Sequence, residues 1–220
     1  METIVIDTQK KEVRTNTIKH SKDNALEKHE QEELIKAIKS LENQELTRQK
    51  YLVIVHLLMD AGLRVSEAIQ VRREWFNETE DGITINIPSS ARDLRNLKRD
   101  WEPKTINGAR EVIFIDKAIG ERVNSYFINN PKGLSVSRQR IYQVIKLLGE
   151  KITKPELHPH ALRSTYANTL VYAGVNASTL QYYMGWGHLN TAMHYLRTSK
   201  IAARKDLIEK FQNGTSEKKL

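Results

Sequence analysis

Two short stretches, Ile83-Thr84-Ile85-Asn86-Ile87-Pro88 and Arg110 to Ile115, carry the strand signals in a chain whose apolar positions otherwise recur at helical spacing. Asn107-Gly108, directly ahead of the second, is a tight-turn dipeptide. So little strand between helical segments limits the fold. The expectation is one mostly helical α+β domain with a small antiparallel sheet on one side.

Residues 1 to 25 are polar and mixed in charge, with at most a short strand around Ile4 to Ile6, and read as an N-terminal arm. From Leu26 the positions Leu34, Ile35, Ile38 and Leu41 mark a helix. Arg48 to Asp60 is apolar on most sides and should be a buried helix. Ala61-Gly62-Leu63 breaks it, and Arg64 to Val71 is expected to resume as helix. Ser89 to Lys104 is highly charged, with Trp101 and Pro103 near its end, and reads as a basic, partly mobile insertion. Further helices are expected over 117–129, 137–151, 160–173, 177–184 and 191–211, with Gly133, Gly174, Gly185 and Gly187 as breaks. The folded domain is expected over 26–212 and a polar tail over 213–220.

Composition narrows the chemistry. The 220 residues carry a formal charge of +8, which fits a polyanionic partner because neutralising phosphates releases counterions. No cysteine is present, so disulfides, thiolate zinc sites and a cysteine nucleophile are excluded. The N-terminus has no signal-peptide pattern, and the longest apolar run, Tyr51 to Met59, holds a histidine and is too short to cross a bilayer. A soluble protein acting in the cytoplasm is expected. No glycine-rich loop ends in Lys-Ser/Thr, and no aspartate cluster suits a pair of magnesium ions. What stands out is arginine, lysine, histidine and tyrosine, side chains suited to handling a phosphate without a metal.

Three blocks concentrate them. His160-Ala161-Leu162-Arg163 opens a helix, and residues at i and i+3 share a face, so both can meet one ligand. Gly185-Trp186-Gly187-His188 follows, with Tyr195 nine positions after Trp186. Upstream, Ala61-Gly62-Leu63-Arg64-Val65-Ser66-Glu67 places a second arginine at a helix start behind a glycine turn.

Together these blocks resemble the tyrosine recombinase family of the phage-integrase type, over roughly residues 26 to 211, and the resemblance implies that family's mostly helical α+β catalytic-domain fold with a small antiparallel three-stranded sheet. The family pattern is Gly-Leu-Arg-x-Ser-Glu, a lysine in a β-hairpin, His-x-x-Arg, then His or Trp nine residues before the nucleophilic tyrosine. Carried over, the resemblance implies catalytic roles for Arg64, Lys104, His160, Arg163, Trp186 and Tyr195, with Glu67 in support and Lys98 as the alternative lysine. It implies site-specific cutting and rejoining of double-stranded DNA through a 3′-phosphotyrosyl intermediate, with no metal, ATP or other cofactor. It also implies a homotetramer on two DNA sites, joined through the segment 201–211. The family's N-terminal core-binding domain has no room ahead of residue 26, which implies a minimal recombinase or a piece beginning at an internal methionine. A type IB topoisomerase, sharing the chemistry, and a silent DNA-binding regulator of the same fold are the rival readings.

The residue types fit that chemistry. A tyrosine hydroxyl, with a pKa of about 10, is ionised in only about one molecule in a thousand at neutral pH. Two arginines stay charged and offer forked donors to phosphate oxygens, a lysine can protonate the leaving 5′ oxygen, and a histidine can donate to the phosphate or assist proton removal. Trp186 can donate its indole N–H or pack against the tyrosine segment. Arg92, Arg95, Lys98 and Arg99, and Arg138, Gln139 and Arg140 at a helix start, are candidate DNA contacts. His158 and His160 form a His-x-His pair, but no Asp or Cys nearby completes a metal site.

Overall fold

A computed structural model describes residues 25–42 and 44–198. The expected arm, the short strand at Ile4 to Ile6, the proposed docking segment 201–211 and the tail therefore lie outside the described residues. The elements are α1 (Lys28–Lys39), α2 (Glu45–Met59), α3 (Val65–Ala68), β1 (Phe76–Thr79), β2 (Gly82–Ile87), β3 (Ala91–Arg92), β4 (Asp100–Trp101), β5 (Arg110–Ile113), α4 (Lys117–Asn129), α5 (Arg138–Lys151), α6 (Pro159–Tyr172), α7 (Ala177–Met184) and α8 (Leu189–Thr198). The mostly helical α+β class and the antiparallel three-stranded sheet, ordered β1-β2-β5, are both found.

The local chemistry accounts for the boundaries. Ser137 and Asn176 cap α5 and α7 by accepting backbone N–H bonds, and Asp116 does the same for α4. At α6 the cap is His158, whose ring accepts from the Ala161 N–H, with Pro159 at the first helical position. The stretch expected as a helix from Arg64 to Val71 is a single turn, Val65–Ala68. There Glu67 reaches back to the Arg64 N–H instead of facing outward, and the chain leaves the helix at Ile69. The last strand stops at Ile113, two residues before the expected end.

The sheet is a small apolar platform. Ile85 of β2 pairs with Phe76 on one side and Val112 on the other, and all three are buried. Helix α4 packs on β2, and α2 runs through the centre between α4 and α6. A second apolar cluster holds Tyr166, Leu170, Leu180, Met184, Ala192 and Tyr195, where α6, α7 and α8 meet.

The charged insertion is more ordered than expected. β3 and β4 pair as a separate two-stranded hairpin, and Trp101 is buried with its ring 5.7 Å from that of Trp75. Asp93, 1% exposed, organises the hairpin. It accepts bonds from the Gln70 side chain, the Arg95 backbone and the Arg99 guanidinium. Burial opposes its charge, but these donors outweigh that and hold the carboxyl well below the usual carboxylate range. This hairpin could not be read from the run of basic residues alone, because its organiser is a buried acid, Asp93, set among them.

Candidate active site

The site is assembled around one buried carboxylate. Glu67 is 1% exposed and faces three arginines. Arg64 donates to Oε1 at 2.6 Å, Arg110 donates to both oxygens at 3.1 Å, and the Arg163 guanidinium lies 3.7 Å from Oε2. Burial is the largest influence on this carboxyl and would raise its pKa. Arg110, Arg163 and Arg64 together outweigh it and bring the value down to about 2. Glu67 is therefore an anion at any pH the protein meets, and it neutralises part of a cluster that would otherwise repel itself.

The same arginines hold the turn between α7 and α8 by its carbonyls. Arg110 donates to Tyr183 O, Arg163 to Met184 O, and Arg64 to Gly185 O at 2.6 Å. Thr105 also donates to Gly185 O, and Asn107 and Gln181 donate to Trp186 O. Gly185 ends α7 in the left-handed conformation, φ +57°, and a Cβ there would lie 2.8 Å from the Arg110 guanidinium. Gly62 has φ +61° and abuts the Tyr166 ring, while its carbonyl accepts from Arg163. Both glycine positions thus let backbone approach side chains that a Cβ would block.

In front of this scaffold is a cavity of about 580 Å³. Its walls include Arg64, Lys104, His160, Arg163 and Trp186, five of the six residues singled out from the sequence. Lys104 sits in the loop between β4 and the 3₁₀ turn Ile106–Gly108, not on a hairpin strand, and it is exposed. Lys98 lies in the β3–β4 turn and does not line the cavity. His160 is exposed at the start of α6, its ring stacked 6.3 Å from that of His158. Partial desolvation, then Arg163, His158 and Arg64, press its pKa below the ordinary value, which favours the neutral ring. Arg163 is pushed down by burial and by its neighbouring arginines and pulled up by Glu67. Starting above 12, it stays a cation at neutral pH.

Tyr195 is the exception. It is 8% exposed and belongs to the second apolar cluster. Its ring stacks on Trp186 with centroids 5.1 Å apart, and its hydroxyl is 3.0 Å from Ser164 Oγ. The tyrosine is therefore one ring behind the cavity wall and not in the wall itself.

Of the candidate DNA contacts, Arg138 lines the cavity, its guanidinium 5.6 Å from the Tyr142 ring. Arg140 turns away and donates to the Tyr51 hydroxyl. Gln139 is exposed and outside the cavity. Arg95 and Arg99 flank Asp93, and Arg92 forms an exposed pair with Asp100. Arg110, Thr105, Ser164, Tyr142 and His188 are site residues that sequence reasoning did not assign. The first of these had a readable signal only in its short distance from Lys104. Among the described residues no cluster of metal-ligating side chains occurs, and no helix is long and apolar enough to cross a membrane.

This arrangement, three arginines and a lysine around a cleft backed by a tyrosine on α8, sits on the catalytic-domain fold of tyrosine recombinases. The structure aligns with XerA recombinase at a TM-score of 0.60 and 21% identity, covering 84% of this chain and 62% of that one. It aligns with the Tn1549 transposon integrase, in complex with transposon right end DNA, at 0.63 and 20%, covering 86% and 66%. The chain belongs to the phage integrase family, whose model matches residues 24–201. Among curated relatives, the tyrosine recombinase XerC of Staphylococcus aureus is 24% identical over 176 residues, which is 80% of this chain and 58% of that protein. The tyrosine recombinase XerD of Bifidobacterium longum is 38% identical over 72 residues, 32% of this chain and 23% of that protein. The chain thus spans little more than half the length of the first relative and about a quarter of the second.

Proposed function

We propose that this chain is the catalytic domain of a site-specific DNA recombinase that cuts and rejoins DNA through a 3′-phosphotyrosine at Tyr195, without metal or ATP. The observation that carries the proposal is the convergence of Arg64, Lys104, His160, Arg163 and Trp186 on one cavity, with Tyr195 directly behind Trp186. A scissile phosphate in the cavity would meet the guanidinium groups of Arg64 and Arg163, which stabilise the charge of the five-coordinate transition state. The Tyr195 oxygen forms a bond to phosphorus as the bond to the 5′ oxygen breaks. The tyrosine proton passes to His160, and Lys104 protonates the leaving 5′ oxygen to give a free 5′ hydroxyl. The phosphotyrosine keeps the bond energy for religation, so no nucleotide is consumed. Before attack, Tyr195 must leave Ser164 and swing past the Trp186 ring. On the same reading the working unit is a homotetramer on two DNA sites.

A covalent-trapping assay tests this. Purified protein is mixed with nicked duplexes of randomised sequence in EDTA, denatured, and the protein-bound DNA sequenced. Wild type should trap DNA and Tyr195→Phe should not. Trapping by both proteins, or by neither, would count against the proposal, and recombinant junctions would separate a recombinase from a DNA-relaxing enzyme.

A further inference from the structure

Arg110 is not among the residues that face the cavity, yet its hydrogen bonds reach three separate parts of the site's framework. It is 4% exposed and makes four hydrogen bonds inside the protein. Two nitrogens bridge both Glu67 oxygens at 3.1 Å, its Nε donates to Tyr183 O at 2.8 Å, and Nη1 also donates to Gly108 O at 2.8 Å. Gly185 closes onto the guanidinium so tightly that only a residue without a Cβ fits there. One planar fork therefore joins three pieces of chain that are distant in sequence. They are the turn carrying Arg64, the loop carrying Lys104, and the α7 end carrying Trp186.

We propose that Arg110 is a positioning residue, whose fork to Glu67 and to the α7 end fixes the aim of Arg64 and the seat of Trp186. The proposal rests on the reading of the cavity as a phosphoryl-transfer site. The mechanism is geometric. Arg64 has two anchors, Glu67 Oε1 and Gly185 O, and Arg110 contacts both the residue and the segment that supply them. Without Arg110 the Glu67 carboxylate loses its two-pronged partner and keeps only Arg64 and the more distant Arg163, and the Gly185 turn loses the guanidinium packed against it. Arg64 can then follow either anchor away from the cavity. A lysine at 110 keeps a charge beside Glu67 but cannot bridge both oxygens and the Tyr183 carbonyl at once.

The test uses Arg110→Gln and Arg110→Lys in the full chain, with two readouts. In the first, nitrogen-15 NMR follows the Arg64 guanidinium. Wild type should show separate, slowly rotating Nη signals, Arg110→Lys should retain them in weakened form, and Arg110→Gln should lose them. In the second, DNA affinity and the rate of covalent trapping are measured on the same nicked duplex. A misaimed phosphate-binding group should slow trapping by roughly 100-fold in Arg110→Gln. Affinity, set by many phosphate contacts, should change less than about threefold. Unchanged Arg64 signals in a destabilised Arg110→Gln protein would overturn the proposal, as would parallel losses of affinity and rate. Should wild type itself trap no DNA, the recombinase reading fails, and the NMR arm alone decides the positioning role.

Discussion

Replacing Glu67 with glutamine removes one charge from the centre of the site and leaves the shape nearly intact. Its effect on stability can be worked from the structure. The carboxyl stands at about 2 in the folded protein against an ordinary 4.5. Because the folded value is depressed, the stabilisation is fully present above the unfolded value and is lost as pH falls through the folded one. At neutral pH that gap corresponds to about 3 kcal/mol. A second route agrees. Glu67→Gln leaves the buried Arg110 and Arg163 without their anion, and breaking a buried pair costs about 3–5 kcal/mol. Urea unfolding at pH 7 should therefore show a loss of about 3–4 kcal/mol. For a domain of this size that corresponds to a midpoint lower by roughly 10 °C on heating. At about pH 3.5 the difference should shrink by about 1.4 kcal/mol, because the unfolded wild-type chain, with its ordinary value of 4.5, has by then taken up the proton while the folded carboxylate is still ionised. A loss below about 1 kcal/mol at pH 7, or one equal at both pH values, would refute the reasoning.

Other substitutions probe separate parts of the scaffold. Gly62→Ala should destabilise by about 2–4 kcal/mol in the same unfolding assay, since a Cβ there lies 2.2 Å from the Tyr166 ring and the backbone φ is +61°. A loss of less than about 1 kcal/mol would mean Tyr166 can move aside without cost. Asp93→Ala should release the β3–β4 hairpin and speed tryptic cleavage after Arg95, Lys98 and Arg99 at least tenfold, with cleavage elsewhere unchanged. Equal rates would show that Trp101 alone holds the insertion. For His160, whose pKa is pressed below 6.5, the acid limb of covalent trapping should be centred below pH 6.5 and should disappear in His160→Gln. A limb at or above 6.5 would contradict the electrostatic surroundings described.

Most helices were legible because their caps and apolar periodicity are local. The spans expected over 117–129 and 177–184 match α4 and α7, and Ser137 marks the start of α5. The pocket residues were legible as types at given spacings. Their use was not, because it depends on partners far away in sequence. Arg110 and Glu67 are 43 residues apart, and Arg64 and Gly185 are 121 apart. The helix expected from Arg64 to Val71 shrank to one turn for a similar reason. Glu67 serves a buried cluster, and Gln70 is drawn off to Asp93, so neither stays on a regular helix face. The basic run from Arg92 to Arg99 suggested a DNA-facing surface. Two of its arginines also pair with Asp93, a contact that charge counting cannot show. The nine-residue spacing from Trp186 to Tyr195 did carry three-dimensional information, since the two rings stack. That the tyrosine sits behind the tryptophan was not legible, because it depends on the packing of α8 against α6.

The most direct test of the account is the chemical identity of the trapped linkage. DNA-bound protein from the nicked-duplex reaction would be digested with protease and nuclease, and the remaining peptide sequenced by tandem mass spectrometry. A 3′-phosphonucleotide on Tyr195 is the expected result. The same adduct on Tyr182 or Tyr183, or on any other side chain, would contradict it.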